Sequence, residues 1–102
     1  PLIKKNGVFA INVLSHRQEE LSRRFSNYEV SLLQRFEIGT WEPLQTGSPI
    51  LEDCLVSLDC RLVAWQEVAT HSVAFGEVVA IKLGKNTAPL LYFDASYKTF
   101  EV

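Results

Sequence analysis

The run His71-Ser-Val-Ala-Phe-Gly-Glu-Val-Val-Ala-Ile81, followed by Pro89-Leu-Leu-Tyr-Phe-Asp-Ala-Ser-Tyr97, decides how this chain folds. Both stretches are rich in β-branched and aromatic residues, and a short polar loop separates them. This pattern predicts two neighbouring strands at residues 72–83 and 90–93. His71 stands at the start of one strand and Tyr97 just beyond the other, and in a small barrel such strand ends surround the ligand site.

Upstream, the sequence predicts a strand followed by a helix. Residues 8–14 form a nearly continuous apolar run, which is typical of a strand buried on both faces. Ser15 stands three residues before Gln18, the spacing of a capping box, so a helix should begin there. The apolar stripe of this helix contains Leu21 and Phe25, and its charged residues should face solvent.

Residues 51–68 carry the clearest strand pattern in the chain. Apolar residues from Cys54 to Ala64 alternate with Ser57, Asp59 and Arg61, so the polar set should face outward. Residues 31–36 predict a short helical turn, and residues 98–102 are expected to extend the last strand. The order of these elements predicts a mainly β fold with one or two helices and an antiparallel sheet curled into a barrel.

Size and charge exclude several classes of protein. With 102 residues, of which 47% are hydrophobic, the chain should form a single domain at residues 1–102. A chain this short buries only about 60 to 70% of its unfolded surface, which favours a homodimer. Basic residues form no block longer than two residues, which argues against nucleic acid as a partner and against an oligonucleotide-binding barrel. No apolar run approaches the roughly 18 residues of a membrane span, so we expect no membrane contact and a cytoplasmic protein.

Few residues suggest chemistry by the protein itself. The sequence lacks a nucleophile elbow, a phosphate-binding loop and a dinucleotide fingerprint, so a bound cofactor should do the chemistry. Cys54 and Cys60 are six residues apart within the predicted strand, about 20 Å, which predicts two buried thiols and no disulfide or metal site. Asn12, inside an apolar strand, is either part of a buried hydrogen-bond network or a ligand contact.

A set of short motifs occurs in one order along the whole chain. The motifs are Phe9-Ala-Ile-Asn-Val-Leu14, Gln18, Leu21-Ser22, Phe25-Ser26, Arg35-Phe36, Trp41, Gly47 with Pro49, Leu58-Asp-Cys60, His71, Gly76-Glu-Val78, and Pro89-Leu-Leu-Tyr-Phe93 with Tyr97. Together they resemble the flavin reductase components of two-component flavin-dependent monooxygenases. These are the small subunits paired with 4-hydroxyphenylacetate, phenol and styrene oxygenases.

The resemblance implies a fold and an activity. The fold is the FMN-binding split barrel, an antiparallel split β-barrel that is usually a homodimer. The activity is that of an NAD(P)H:flavin oxidoreductase, which passes hydride from NADH or NADPH to FMN or FAD and delivers the reduced flavin to an oxygenase component. Such a step depends mainly on orienting the nicotinamide against the flavin, which explains why no catalytic constellation is needed. The alternative is a non-catalytic split barrel that acts as a flavin-binding or interaction module.

The same resemblance assigns two sets of residues. The flavin set is Phe25, Ser26, Asn27 and Arg35. The nicotinamide nucleotide set is His71, Ser96, Tyr97 and Lys98. Arg35 could pair with flavin phosphate, because a guanidinium offers a bidentate fork to phosphate oxygens. His71 follows Ala69-Thr70 where the family more often has Gly-Asp, so the turn before it is expected to differ.

The chain resembles only the C-terminal two-thirds of the family. About the first third is missing, which includes early strands that grip the flavin phosphate and ribityl chain. We therefore expect N-terminal truncation, a split barrel lacking its first strands, and half of the flavin site outside this chain. Open sheet edges and apolar faces left in this way would favour association.

Overall fold

The computed structural model describes residues 2–27, 29–85, 88–93 and 95–99. Three helices and seven strands lie in this part of the chain. They are α1 (Leu2–Asn6), β1 (Val8–Val13), α2 (Glu19–Phe25), α3 (Leu32–Arg35), β2 (Trp41–Glu42), β3 (Ile50–Leu51), β4 (Val56–Val68), β5 (His71–Leu83), β6 (Leu90–Phe93) and β7 (Ser96–Thr99). None of the helices described is long and apolar enough to cross a membrane.

All strand pairs are antiparallel, as the sequence predicts. β1, β4 and β5 form a three-stranded sheet in the order β1-β4-β5, whereas β2 pairs with β3 and β6 with β7. The β6–β7 hairpin is joined to the end of β1 through the Leu90 N–H, which donates to the Leu14 carbonyl at 3.1 Å, and through a bridge between Ser15 and Pro89. The mainly β prediction is therefore confirmed.

The long β4–β5 hairpin forms the frame of the molecule. It pairs from Val56 opposite Leu83 to Val68 opposite His71, with register shifts between Asp59 and Cys60 and again after Leu62. Such bulges bend a hairpin and increase its twist. β1 pairs only with the half of β4 from Val56 to Arg61, so the half that carries His71 extends beyond β1.

The predicted single strand over residues 51–68 is wrong, because a turn divides it. Leu51 pairs with Trp41 in β3, whereas Val56 pairs with Val13 in β4. Between them, Asp53 adopts a φ of 64°, a left-handed conformation that Asp tolerates better than most residues. Strand propensity alone does not detect this turn, because its residues carry no strong turn signal.

The expectation that residues 8–14 are buried on both faces is also wrong. Ile11 and Val13 are 45% and 37% exposed, and their neighbours across the sheet, Ile81 and Leu83, are 61% and 77% exposed. Because these side chains share one face of the sheet, they form a continuous apolar surface. On the other face of β1, Asn12 is hydrogen-bonded to Pro49 and Leu51 in the segment that leads into and forms β3.

The helix prediction is correct in position, but the helix begins later than expected. α2 starts at Glu19, and the Gln18 side chain accepts a hydrogen bond from the Ser15 N–H at 2.9 Å, which is half of a capping box. The Gln18 amide also donates to the Glu52 carbonyl at 2.9 Å. Gln18 thus ties the end of β1, the start of α2 and the turn before β4 together.

The buried core lies under α2. Leu21, Leu51 and Cys54 form it, and partly buried apolar side chains that include Phe25 and Trp41 pack around it. Cys54 and Cys60 are free and buried, and burial raises the pKa of both thiols. The prediction of two buried thiols is therefore confirmed. The helical turn predicted at residues 31–36 is present as α3. The prediction that residues 98–102 extend the last strand is wrong where the structure describes them, because Ser96–Thr99 forms β7 and turns back to pair with β6. Residues 100–102 lie outside the described residues.

Candidate functional site

A cavity of about 860 Å³ opens between β1, α2 and the segment that runs from α3 to β3. Its volume is within the roughly 300 to 1,000 Å³ that cofactor sites usually occupy. One face of α2, residues of α1 and β1, and a loop at residues 46–49 line it. The cavity therefore brings together segments that are far apart in the sequence.

Three aromatic side chains form one wall of the cavity. The ring of Phe25 lies edge-on to Phe36, with centroids 5.3 Å apart, and 5.7 Å from the ring of Trp41. Phe36 and Trp41 are 4.7 Å apart, also edge-to-face. The Trp41 indole donates to the Ile38 carbonyl at 2.9 Å, which fixes the orientation of its ring. Edge-to-face contacts of this kind hold an aromatic wall in a defined shape.

Asn12 projects from β1 into a hydrogen-bond network beside the cavity. Its Oδ1 accepts from the Leu51 N–H at 3.1 Å and from the Ser57 hydroxyl at 2.9 Å, and its Nδ2 donates to the Pro49 carbonyl at 3.3 Å. Of the two roles that the sequence left open, the network role is the one observed. Asn12 also lines the cavity, so this network holds part of its surface in place.

A buried carboxylate holds the loop at residues 45–48 against the sheet. Asp59 is fully buried, and its Oδ2 accepts from the backbone N–H groups of Gln45 at 2.8 Å and Thr46 at 2.9 Å. Its Oδ1 accepts from the Thr46 hydroxyl at 2.5 Å, and that hydroxyl lies 2.9 Å from the hydroxyl of Ser48. Thr46 and Ser48 line the cavity, so Asp59 shapes the cavity without lining it.

The burial of Asp59 corrects the expectation that the polar face of this strand points to solvent. Ser57 and Asp59 do share a face, but the loop that carries Thr46 covers that face. Burial alone would raise the pKa of Asp59, but the hydrogen bonds from Thr46 and Gln45 outweigh it, so the pKa is lowered from its ordinary value of 3.8. The carboxylate is therefore charged at neutral pH and fully hydrogen-bonded.

This lowered pKa predicts how stability depends on pH. Because the folded-state pKa of Asp59 is below the unfolded value, its contribution to stability is present above that value and lost as the pH falls through the folded one. We expect Asp59→Asn to lower the free energy of unfolding by about 1 to 3 kcal/mol at pH 7, since Asn presents an N–H group to backbone donors. The difference in free energy of unfolding between Asp59→Asn and the parent protein should shrink below pH 3.8, the ordinary pKa of the Asp side chain.

Urea denaturation of both proteins between about pH 3 and 7 measures this effect. Glu42→Gln is the matched control, because Glu42 is an exposed carboxylate on β2. The control should keep the pH profile of the parent protein. An unchanged gap between Asp59→Asn and the parent at acid pH would contradict the role assigned to the Asp59 charge.

Comparison with known proteins identifies the family. The profile of a family described as flavin reductase like domain matches residues 1–101. The chain belongs to this family. It is 41% identical over 100 residues to the FMN reductase (NADH) RutF of Bradyrhizobium diazoefficiens, which covers 98% of this chain and 55% of that protein.

Solved structures with the same fold support this membership. One is a protein assigned as a flavin reductase from Haemophilus somnus, with a TM-score of 0.91, 32% identity and coverage of 96% of this chain and 62% of that one. Another is a homologue of nitrilotriacetate monooxygenase component B from Mycobacterium thermoresistibile, with a TM-score of 0.87 and 30% identity over 97% of this chain and 55% of that one. The split-barrel fold predicted from the motifs is confirmed. The chain spans about half the length of the curated relatives it matches.

In this flavin reductase-like chain, two of the four residues assigned to flavin lie at the cavity. Phe25 and Ser26 line it, and the Ser26 hydroxyl donates to the Ser22 carbonyl at 2.8 Å. Arg35 donates through Nη2 to the Asn27 carbonyl at 3.0 Å, so these two residues close the segment between α2 and α3. The Nε of Arg35 is buried and has no partner among the described residues. Contact of Asn27 or Arg35 with flavin stays a prediction.

The residues assigned to the nicotinamide nucleotide lie on two separate hairpins. His71 is exposed and opposite Val68, at the outer end of the β4–β5 hairpin. Ser96 and Tyr97 lie on β7, and the Tyr97 hydroxyl donates to the Ser22 hydroxyl at 3.0 Å. The side chain of Lys98 lies outside the described part of the chain. Their contact with the nucleotide stays a prediction.

The hydrogen-bonded group formed by Thr46, Ser48 and Asp59 was not predicted from the sequence. Asp59 lies within the motif Leu58-Asp-Cys60 and within the alternation of residues 54–64, and the alternation assigned it to solvent. A Thr-Gly-Ser loop followed by an acidic residue in a strand is too common a pattern to predict the hydrogen bonds observed. Gly47, at a φ of 91°, is the one local signal, since glycine readily adopts the tight loop needed here.

Proposed function

We propose that the protein carrying this chain is an NAD(P)H:flavin oxidoreductase that supplies reduced FMN or FAD to a partner monooxygenase. The observation that carries the proposal is the aromatic-walled cavity, whose lining includes Phe25 and Ser26. Membership of the flavin reductase-like family supports it. The curated relatives are named FMN reductase (NADH), which favours FMN over FAD and NADH over NADPH.

The cavity fits a flavin by shape and by chemistry. An isoalloxazine ring is flat and aromatic and carries polar atoms at its edge, and the cavity offers an aromatic wall together with the hydroxyls of Ser22, Ser26, Thr46 and Ser48. When bound, the flavin supplies the ring nitrogen that takes up hydride from the nicotinamide. The protein provides the aromatic wall and the hydrogen-bond partners.

In this proposal the two sets of residues have different tasks. Phe25 packs against the flavin ring and Ser26 hydrogen-bonds near it, while Arg35 pairs with flavin phosphate. His71, Ser96, Tyr97 and Lys98 hold the nicotinamide nucleotide, and orientation of its ring provides much of the rate enhancement. No proton transfer by a side chain is required for this step.

We further propose that the protein works as a cytoplasmic homodimer. The apolar surface around Ile11 and Ile81 supports this, because exposed apolar patches often mark interfaces. Free buried thiols are typical of a reducing compartment. The proposal that a monooxygenase is the partner is supported by the solved relative named as a monooxygenase component.

Titration of FMN with the purified whole protein that carries this chain tests the proposal, with flavin fluorescence as the readout, followed by NADH oxidation in the same sample. Quenching with turnover of NADH is the expected result. Binding without turnover would replace the reductase by the non-catalytic flavin-binding module. Absence of both would overturn the assignment of the cavity to flavin.

The placement of His71 leads to a kinetic prediction. We expect His71→Ala to raise the KM for NADH about tenfold, equivalent to about 1.4 kcal/mol, and to leave the Kd for FMN unchanged. Thr70→Ala, in the adjacent exposed turn, is the matched control. Steady-state kinetics with NADH as the varied substrate measure the effect. Equal KM values for His71→Ala and the parent would remove His71 from the nucleotide site.

A further inference from the structure

Tyr97 connects the β6–β7 hairpin to the wall of the cavity. Its hydroxyl donates to Ser22 Oγ at 3.0 Å, although the two residues are 75 positions apart in the sequence. The guanidinium of Arg23 lies 4.6 Å from the centre of the Tyr97 ring, and the ring of Tyr92 meets it edge-on at 5.0 Å. The ring of Tyr97 thus contacts Arg23 on α2 and Tyr92 on β6.

The hydroxyl of Tyr97 is not needed to dock the hairpin. Backbone hydrogen bonds already join the hairpin to the end of β1: Leu90 N–H donates to the Leu14 carbonyl at 3.1 Å, and His16 N–H donates to the Ala88 carbonyl at 3.0 Å. The ring contacts with Arg23 would also remain without the hydroxyl. The bond to Ser22 therefore calls for another explanation.

Hydrogen-bond directions at Ser22 provide that explanation. A serine hydroxyl has one hydrogen to donate, and it can accept at its oxygen. Two hydroxyls share this bond, and the phenol of Tyr97 is the stronger donor of the two, so Ser22 Oγ accepts. Ser22 keeps its own hydrogen, and it donates that hydrogen to none of the described residues. Ser22 lines the cavity beside Phe25 and Ser26. The hydrogen is thereby available to an acceptor atom inside the cavity.

We infer that Tyr97 is a positioning residue, which orients Ser22 as a hydrogen-bond donor to an acceptor atom of the flavin. The inference rests on the proposed function of the cavity. It gives Tyr97 a role toward the flavin through Ser22, in addition to the predicted role at the nicotinamide. Ser22 becomes a flavin-binding residue, which the motif comparison did not assign.

A double-mutant cycle tests the inference. Tyr97→Phe removes only the hydroxyl, and Ser22→Ala removes the donor. We expect each variant to raise the Kd for FMN three- to tenfold, and the double variant to raise it no further than the larger single effect. Tyr92→Phe, which removes a hydroxyl from the neighbouring exposed ring, should leave the Kd unchanged.

The outcomes separate this inference from the proposed function. If the parent protein binds FMN but Tyr97→Phe binds it equally well, the inference fails and the flavin site stands. Independent effects that multiply in the double variant would also overturn it, because Tyr97 would then act without Ser22. If the parent protein does not bind FMN, the proposed function itself fails. The absorbance spectrum of bound FMN, which a purely structural role would leave unchanged, should shift in both single variants.

Discussion

Phe25→Ala should abolish most flavin binding. The ring of Phe25 lies at the end of α2, contacts Phe36 and Trp41, and packs on the buried core around Leu21. Removing it opens the aromatic wall of the cavity to water and deprives both neighbouring rings of a partner. We expect the Kd for FMN to rise more than tenfold and the free energy of unfolding to fall by about 2 to 4 kcal/mol, since the side chain is half-buried.

Phe25→Leu separates the two effects of this substitution. Leucine keeps most of the apolar volume, so the stability loss should be below about 1.5 kcal/mol, while the aromatic contact with the flavin is still lost. Leu33→Ala, on the exposed side of α3, is the control and should change neither quantity much. Urea denaturation and FMN fluorescence quenching are the two measurements. Parental FMN affinity in folded Phe25→Leu would show that the aromatic wall is not a flavin contact.

Gly84→Ala should destabilise the fold strongly, although it adds only one methyl group. A Cβ atom at residue 84 would overlap the carbonyl oxygen of Cys54, and the Gly84 N–H donates to the Leu55 carbonyl at 3.0 Å. Because the overlapping oxygen belongs to the backbone, the end of β5 must move away from the turn before β4. We expect a loss above the usual overpacking range of about 1 to 3 kcal/mol. Thermal denaturation should then show a melting temperature lower by at least about 10 °C.

Gly7→Ala is the informative comparison for this prediction. Gly7 has a φ of 74°, but an added Cβ would meet no atom within 4 Å. Its substitution should therefore cost only the backbone strain of a left-handed alanine, about 1 to 2 kcal/mol. A Gly84→Ala protein as stable as Gly7→Ala would show that the contact with Cys54 relaxes easily.

The elements whose signals are local could be predicted from the sequence. The β5 strand, the apolar stripe of α2 and the turn at α3 are all present close to their expected positions. At α3, Ser31 and Gln34 form a complete capping box, a device that depends on residues three positions apart. Side-chain periodicity also placed Ser57 and Asp59 correctly on one face of their strand.

Contacts between distant segments could not be predicted in this way. Asp59 is buried because a loop 13 to 14 residues earlier folds over it, and alternation in a strand tells which face a residue is on but not what covers that face. The bond between Tyr97 and Ser22 likewise depends on how the last hairpin returns to the first helix. The resemblance to flavin reductases pointed to Phe25 and Ser26. The structure shows that Asn12, Thr46 and other residues line the same cavity.

By itself, the sequence determined the antiparallel β class, the helix after β1, the two free thiols and the family. These features depend on local periodicity, caps and an ordered set of motifs, all of which are written along the chain. Only the tertiary structure decided that Asp59 is buried and charged, that Gly84 lies against backbone, and that Ser22 faces a cavity while bound by Tyr97. Each of these features depends on contact between segments that are far apart in the sequence. Such contacts are determined by the close packing of the whole fold and not by any one segment.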